Sequence, residues 1–131
     1  MPRLRTLAVP SALLLACGPD ATPATAPLAG DWRAPSALDG ADEVLSLDED
    51  GVGEATLYRV TSAATTKLEY AVTAEPGDDA SFALSFRCEG RSFMCETQDF
   101  DTECALEDDT RLTCEAPPWR ENEDVIAFTR G

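Results

Sequence analysis

Between residues 66 and 88 the chain alternates apolar and polar positions with a period of two. Thr66, Leu68, Tyr70, Val72 and Ala74 share one phase, with Lys67, Glu69, Ala71 and Thr73 in the other. Phe82, Leu84, Phe86 and Cys88 then alternate with Ser81, Ala83, Ser85 and Arg87. Successive side chains of a strand point to opposite faces, so each run predicts a half-buried strand. Glu75-Pro76-Gly77-Asp78-Asp79 lies between them as a turn, which makes the pair a hairpin. A second hairpin is predicted where Leu45 and Leu47 lead into Asp48-Glu49-Asp50-Gly51-Val52-Gly53 and then Glu54 to Val60. Shorter strands are expected at Asp31–Arg33, Ser92–Glu96, Glu103–Glu107, Arg111–Glu115 and Val125–Thr129. No window carries a helical apolar stripe, although Ser36–Asp42 has room for one turn. Short strands separated by frequent turns predict an all-β fold, a small antiparallel up-and-down barrel or sandwich of about 8–9 strands.

The N-terminus follows a different pattern. Met1-Pro2-Arg3-Leu4-Arg5 is short and positive, and Thr6 to Ala16 is apolar and uncharged. A positive segment followed by an apolar run of this length is the signature of an export signal. The run is shorter than the roughly 20 residues needed to span a bilayer. Leu14-Leu15-Ala16-Cys17 resembles the lipobox of bacterial lipoproteins, with Leu three places before the cysteine and a small residue just before it. The resemblance covers the first 17 residues. It implies that residues 1–16 are removed and that Cys17 becomes the acylated first residue, a membrane anchor. Each buried acyl CH₂ adds about 0.8 kcal/mol, and more than one chain gives stable anchoring. Gly18 in place of Asp after the cysteine leans towards the outer membrane. The alternative is an ordinary export signal cleaved after Gly18. Both readings leave four of the five cysteines, so parity does not separate them.

Gly18 to Ala29, GPDATPATAPLA, has too little apolar surface for a core and reads as a flexible, disordered tether. The expected organisation is therefore a signal peptide at 1–16, a lipidated Cys and tether at 17–29, and one β domain at 30–131. Removing the signal leaves eight basic against 25 acidic side chains, a net charge of −17. Such a surface repels nucleic acid and anionic membranes. The expected partners are the membrane, reached through the acyl chains, and an envelope protein or a small apolar ligand. The chain is expected to be a monomer in an oxidising compartment, the periplasm or cell surface.

Cys88, Cys95, Cys104 and Cys114 cluster in the last third. In an exported chain they are expected to form two disulfides. Pairing Cys88 with Cys95 and Cys104 with Cys114 keeps each in phase with inward residues, Phe86 and Phe93 in one case and Leu106 and Leu112 in the other. Cys88–Cys114 with Cys95–Cys104 is the other arrangement considered. A four-cysteine zinc site is disfavoured, because no Cys-x-x-Cys knuckle and no His are present. Asp48-Glu49-Asp50-Gly51 places its Gly too early for a calcium loop and reads as a hairpin turn. Asp99, Asp101, Glu103, Asp108 and Asp109 read as a solvated acidic cluster. No metal or cofactor is expected. Without His there is no Ser-His-Asp or Cys-His constellation, and the chain is expected not to be an enzyme.

Gly30-Asp31-Trp32 opens the β domain, and Ile126-Ala127-Phe128-Thr129-Arg130 closes it. This resembles the lipocalin, or calycin, pattern. The resemblance rests on Gly30, Trp32 and Arg130, and the second motif of that family, Thr-Asp-Tyr, is absent. It implies an up-and-down barrel plugged at one end by Trp32, with the Arg130 guanidinium over the indole. Two function classes remain. The first is a non-catalytic structural or protein-interaction module. The second is a carrier of an apolar ligand or lipid, lined by Tyr70, Phe82, Leu84 and Phe86. A protease inhibitor whose Gly18–Ala29 segment enters the protease cleft is a pointed form of the first.

Overall fold

A computed structural model describes residues 22–36, 38, 40–89, 95, 98–120 and 123–130. Eight strands follow in order: β1 (Gly30–Pro35), β2 (Asp42–Leu47), β3 (Val52–Val60), β4 (Thr65–Pro76), β5 (Ser81–Cys88), β6 (Phe100–Asp108), β7 (Arg111–Glu115) and β8 (Val125–Arg130). Each pairs antiparallel with the next, and β8 returns to β1, so the sheet closes into an up-and-down barrel. The closing seam rests on the pairs Trp32↔Arg130 and Arg33↔Thr129. Of the two architectures expected, barrel and sandwich, the chain adopts the barrel.

The two long hairpins lie where the alternation placed them. Tyr70 pairs with Cys88 and Ala74 with Leu84 across β4 and β5, and Leu45 pairs with Ala55 across β2 and β3. Two glycines serve this second hairpin for different reasons. Gly51 takes φ +79° in the turn, a conformation that favours residues without Cβ. Gly53 lets β2 come close, since a Cβ there would sit 1.8 Å from the Ser46 carbonyl oxygen. The turn itself is tied by Asp48, whose Oδ1 accepts the Asp50 and Val52 amides. The expected strand at Ser92–Glu96 lies, apart from Cys95, outside the described residues, and Cys95 itself is helical rather than extended. Ser36 and the described residues after it form a connection, and Asp42 opens β2.

Inward positions fill the barrel. Trp32, Leu45, Leu57, Tyr70, Leu84 and Leu112 are all fully buried, and Phe82, Phe86, Ile126 and Phe128 pack with them in one cluster. The core begins before β1. Ala26–Leu28 form a 3-10 turn, and Thr25 and Leu28 are buried, so part of the segment whose composition reads as tether belongs to the folded unit.

Both disulfides take the in-phase pairing. Cys104 and Cys114 are register partners on β6 and β7, with Cα atoms 4.0 Å apart. Cys88, at the end of β5, joins Cys95 with Cα atoms 5.4 Å apart. These bonds are consistent with an oxidising compartment. A cross-link closing a loop of this size stabilises by about 3 kcal/mol through the unfolded chain. Replacing Cys104 and Cys114 together by Ala is therefore expected to lower unfolding stability by about 2–3 kcal/mol in urea titrations.

An up-and-down barrel sorts its connections into two groups. One end carries three tight turns, after β2, β4 and β6, together with the start of β1 and the finish of β8. These turns expose seven acidic side chains: Asp48, Glu49, Asp50, Asp78, Asp79, Asp108 and Asp109. The opposite end carries the four remaining connections. No helix among the described residues is long and apolar enough to cross a membrane.

Candidate functional site

At the first end, Trp32 sits fully buried on β1 with Arg130 on its register partner β8. The guanidinium carbon lies 4.2 Å from the centre of the indole ring, a cation–π distance. The indole Nε1–H donates to the Leu28 carbonyl at 2.9 Å. Arg130 Nη1 donates to the Ala29 carbonyl at 3.0 Å, and Nη2 donates to that of Pro27. Thr25 Oγ1 donates to the Glu49 carbonyl in the β2–β3 turn at 2.8 Å. The 3-10 turn is thus laid across the barrel end and held there by Trp32, Arg130 and Thr25. Of the Gly18–Ala29 segment proposed to enter a protease, residues 25–29 are occupied in this clamp.

The opposite end carries chemistry that the sequence pattern did not flag. Glu43 points inward from β2, in phase with Leu45 and Leu47, and is fully buried. Its Oε2 accepts the Tyr58 amide at 3.0 Å and pairs with Arg120 Nη2. The Arg120 side chain is 9% exposed, and its Nη1 also meets Glu123 at 3.2 Å. Desolvation pushes the Glu43 carboxyl above the usual range, against the pull of the Tyr58 amide and the Arg120 charge. Glu43 Oε1, Arg59 Nε and Trp119 Nε1 are buried and find no hydrogen-bond partner among the described residues. Arg130 Nε, at the plugged end, is likewise buried without a partner among the described residues.

An aromatic cluster lies at the same end. Tyr70 meets Phe86 and Phe100 edge-on, each at 5.6 Å, and lies parallel to Trp119 at 6.4 Å. Phe86 and Phe100 stack at 4.6 Å. The Tyr70 hydroxyl donates to the Gln98 carbonyl at 3.0 Å. Burial first, then the nearby Asp99 and Glu43 carboxylates, push the phenol well above its usual range, so it stays protonated.

The residues expected to line an apolar pocket are all interior. Tyr70 and Leu84 are fully buried, and Phe82 and Phe86 nearly so, within the continuous core cluster. The largest depression described, about 490 Å³, lies on the outer wall along β2 and β3, between Val44, Ser46, Glu54 and Thr56. Two smaller ones follow, of about 340 Å³ along β5 and β6 between Ala83, Leu84, Ser85, Asp101 and Glu103, and of about 300 Å³ between Thr66–Glu69 and the Cys88–Cys95 bridge. Of the four, Leu84 alone borders one of these depressions, and it is itself fully buried; Tyr70, Phe82 and Phe86 line none of the three. Cys17 falls outside the described residues.

The acidic residues singled out from composition are spread over the barrel. Asp108 accepts from the Thr110 amide and hydroxyl, both at 2.7 Å, which closes the β6–β7 turn and lowers its carboxyl below the usual range. Asp99 accepts the Cys88 amide at 2.7 Å, and Asp101 pairs with Arg87 at 3.1 Å. Glu103 lies on the outer wall of β6. A signal for Glu43 was present, since an acid occupied an inward phase. Trp119, in the Pro-Pro-Trp-Arg connection, had no periodicity to reveal it. No family model, curated protein or solved structure matches this chain.

Proposed function

We propose that this chain is a bacterial envelope lipoprotein whose barrel is a non-catalytic module for binding another envelope protein. Cys17 carries the acyl chains that hold it to the membrane, in the outer membrane by the Gly18 criterion. The observation that most supports a module over a carrier is the filled interior. Tyr70, Phe82, Leu84 and Phe86 pack against their own neighbours, and their apolar surface is spent on the core. The recognition surface in this reading is the end that holds Glu43, Arg59, Trp119 and Arg120, supported by three buried polar atoms there with no partner among the described residues, against one, Arg130 Nε, at the plugged end.

A titration of the neutral apolar probe N-phenyl-1-naphthylamine into the mature chain bearing Cys17→Ser tests this reading. The expected result is no saturable uptake. Saturable one-to-one uptake, lost on Phe86→Trp, would overturn the module in favour of a small apolar-ligand carrier. Photo-crosslinkers placed at Ala64 and at Thr110 give the second arm. Capture of the same envelope protein from Ala64 and not from Thr110 supports the module.

A further inference from the structure

The clamp at the plugged end determines where the chain leaves the barrel, and with it how an anchored barrel would stand. An even number of up-and-down strands puts the start of β1 and the finish of β8 at one end. The 3-10 turn then lies across that same end, held by the Trp32, Arg130 and Thr25 hydrogen bonds. The path back towards Cys17 therefore departs beside the acidic turns.

Seven residues separate Cys17 from Thr25. Fully extended, the eight steps from Cys17 to Thr25 reach at most about 29 Å, at 3.6 Å per step. The barrel wall is nearly as tall: a strand of nine residues is roughly 30 Å long, or about 23 Å along the axis once tilted. To bring the opposite end to the membrane, the connecting stretch would have to run nearly straight along the whole wall. That costs its conformational entropy with no contact in return.

We infer that the barrel stands with its plugged end towards the bilayer and the Glu43–Arg120 end facing away, an orientation that rests on the lipid anchor proposed at Cys17. The seven exposed acids of the plugged end then face the lipid surface. Against an anionic leaflet they are repelled within a Debye length, about 8 Å at physiological salt. The short connection pulls this end in while its charge holds it off. The partner-binding end is presented outward, clear of the headgroups.

Energy transfer from tryptophan to a dansyl-labelled lipid tests the orientation on the full lipidated chain. The chain is bound to vesicles of phosphatidylcholine and phosphatidylglycerol. Thr110→Trp places a donor in an exposed turn at the plugged end, and Ala64→Trp places one in an exposed turn at the opposite end. Both are made with Trp119→Phe, so that Trp32 is the common background. Transfer from the added donor is expected to be at least about threefold greater for Thr110→Trp, given ends roughly 23 Å apart. Raising salt should increase its transfer on the anionic vesicles and leave it unchanged on phosphatidylcholine alone. Equal transfer from the two donors, or more from Ala64→Trp, in a chain that floats with the vesicles would overturn the orientation and leave the anchor standing. A chain that does not float and lacks acyl mass on Cys17 would overturn both.

Discussion

Truncation of Trp32 to alanine is expected to cost about 3–5 kcal/mol of unfolding stability, the range for removing a large buried aromatic side chain. For a domain of this size that is a large fraction of the total, which is about 5–15 kcal/mol. The loss has more than one source. The indole fills the barrel end, stacks under Arg130 and donates to Leu28, so its removal also frees the 3-10 turn. Arg130→Met keeps the apolar stem but gives up the bonds to Ala29 and Pro27, and is expected to cost less, about 1–3 kcal/mol. Urea titrations followed by far-ultraviolet circular dichroism measure both. A Trp32→Ala midpoint indistinguishable from wild type would mean that the plug does not hold this end together.

Arg120→Met is expected to be the second costly change, at about 3–5 kcal/mol near neutral pH, because it strands the buried Glu43 carboxylate. Its pH dependence distinguishes it from a packing defect. Burial already holds the Glu43 carboxyl above its value in the unfolded chain. The folded state therefore binds that proton more readily. Stability from this group is fully present below the unfolded pKa and is lost as pH rises through the folded one. Without Arg120 the folded value moves higher still, with Glu123 the remaining charge beside it. The deficit of Arg120→Met should therefore shrink as pH falls from neutral into the mildly acid range. Adding Glu43→Gln to Arg120→Met should recover much of the loss and flatten the pH dependence. Unfolding titrations across that range decide it, and a deficit independent of pH would rule out the stranded carboxylate.

Much of the barrel wall was legible because its information is local. A period of two from Thr66 to Ala74 and from Phe82 to Phe86 needs no knowledge of the rest of the chain, and Asp48 to Gly53 announces its turn by composition. Closure is not local. The seam between β1 and β8 joins residues almost a hundred positions apart, and periodicity alone does not separate a barrel from a sandwich. The Gly-x-Trp and terminal Arg pattern did point to a plugged barrel, and Trp32 and Arg130 meet at that seam.

Residues 25–29 pack on the barrel end although their composition reads as tether, and the reason is physical. Thr, Pro and Ala dominate residues 22–29, and a single Leu28 carries the burial, too little for a compositional signal. Glu43 was hidden differently. An acid in an inward phase normally argues against burial, and it takes the Tyr58 amide and Arg120, 77 residues later, to make the placement tolerable. Glu43 and Arg120 do not predict each other from spacing.

The account depends most on Cys17, and the mass of the mature N-terminal peptide from envelope fractions tests it most directly. The predicted result is a peptide that begins at Cys17 and carries acyl chains there. An unmodified chain beginning at Gly18 or Pro19 would contradict it and remove the membrane anchor from the account.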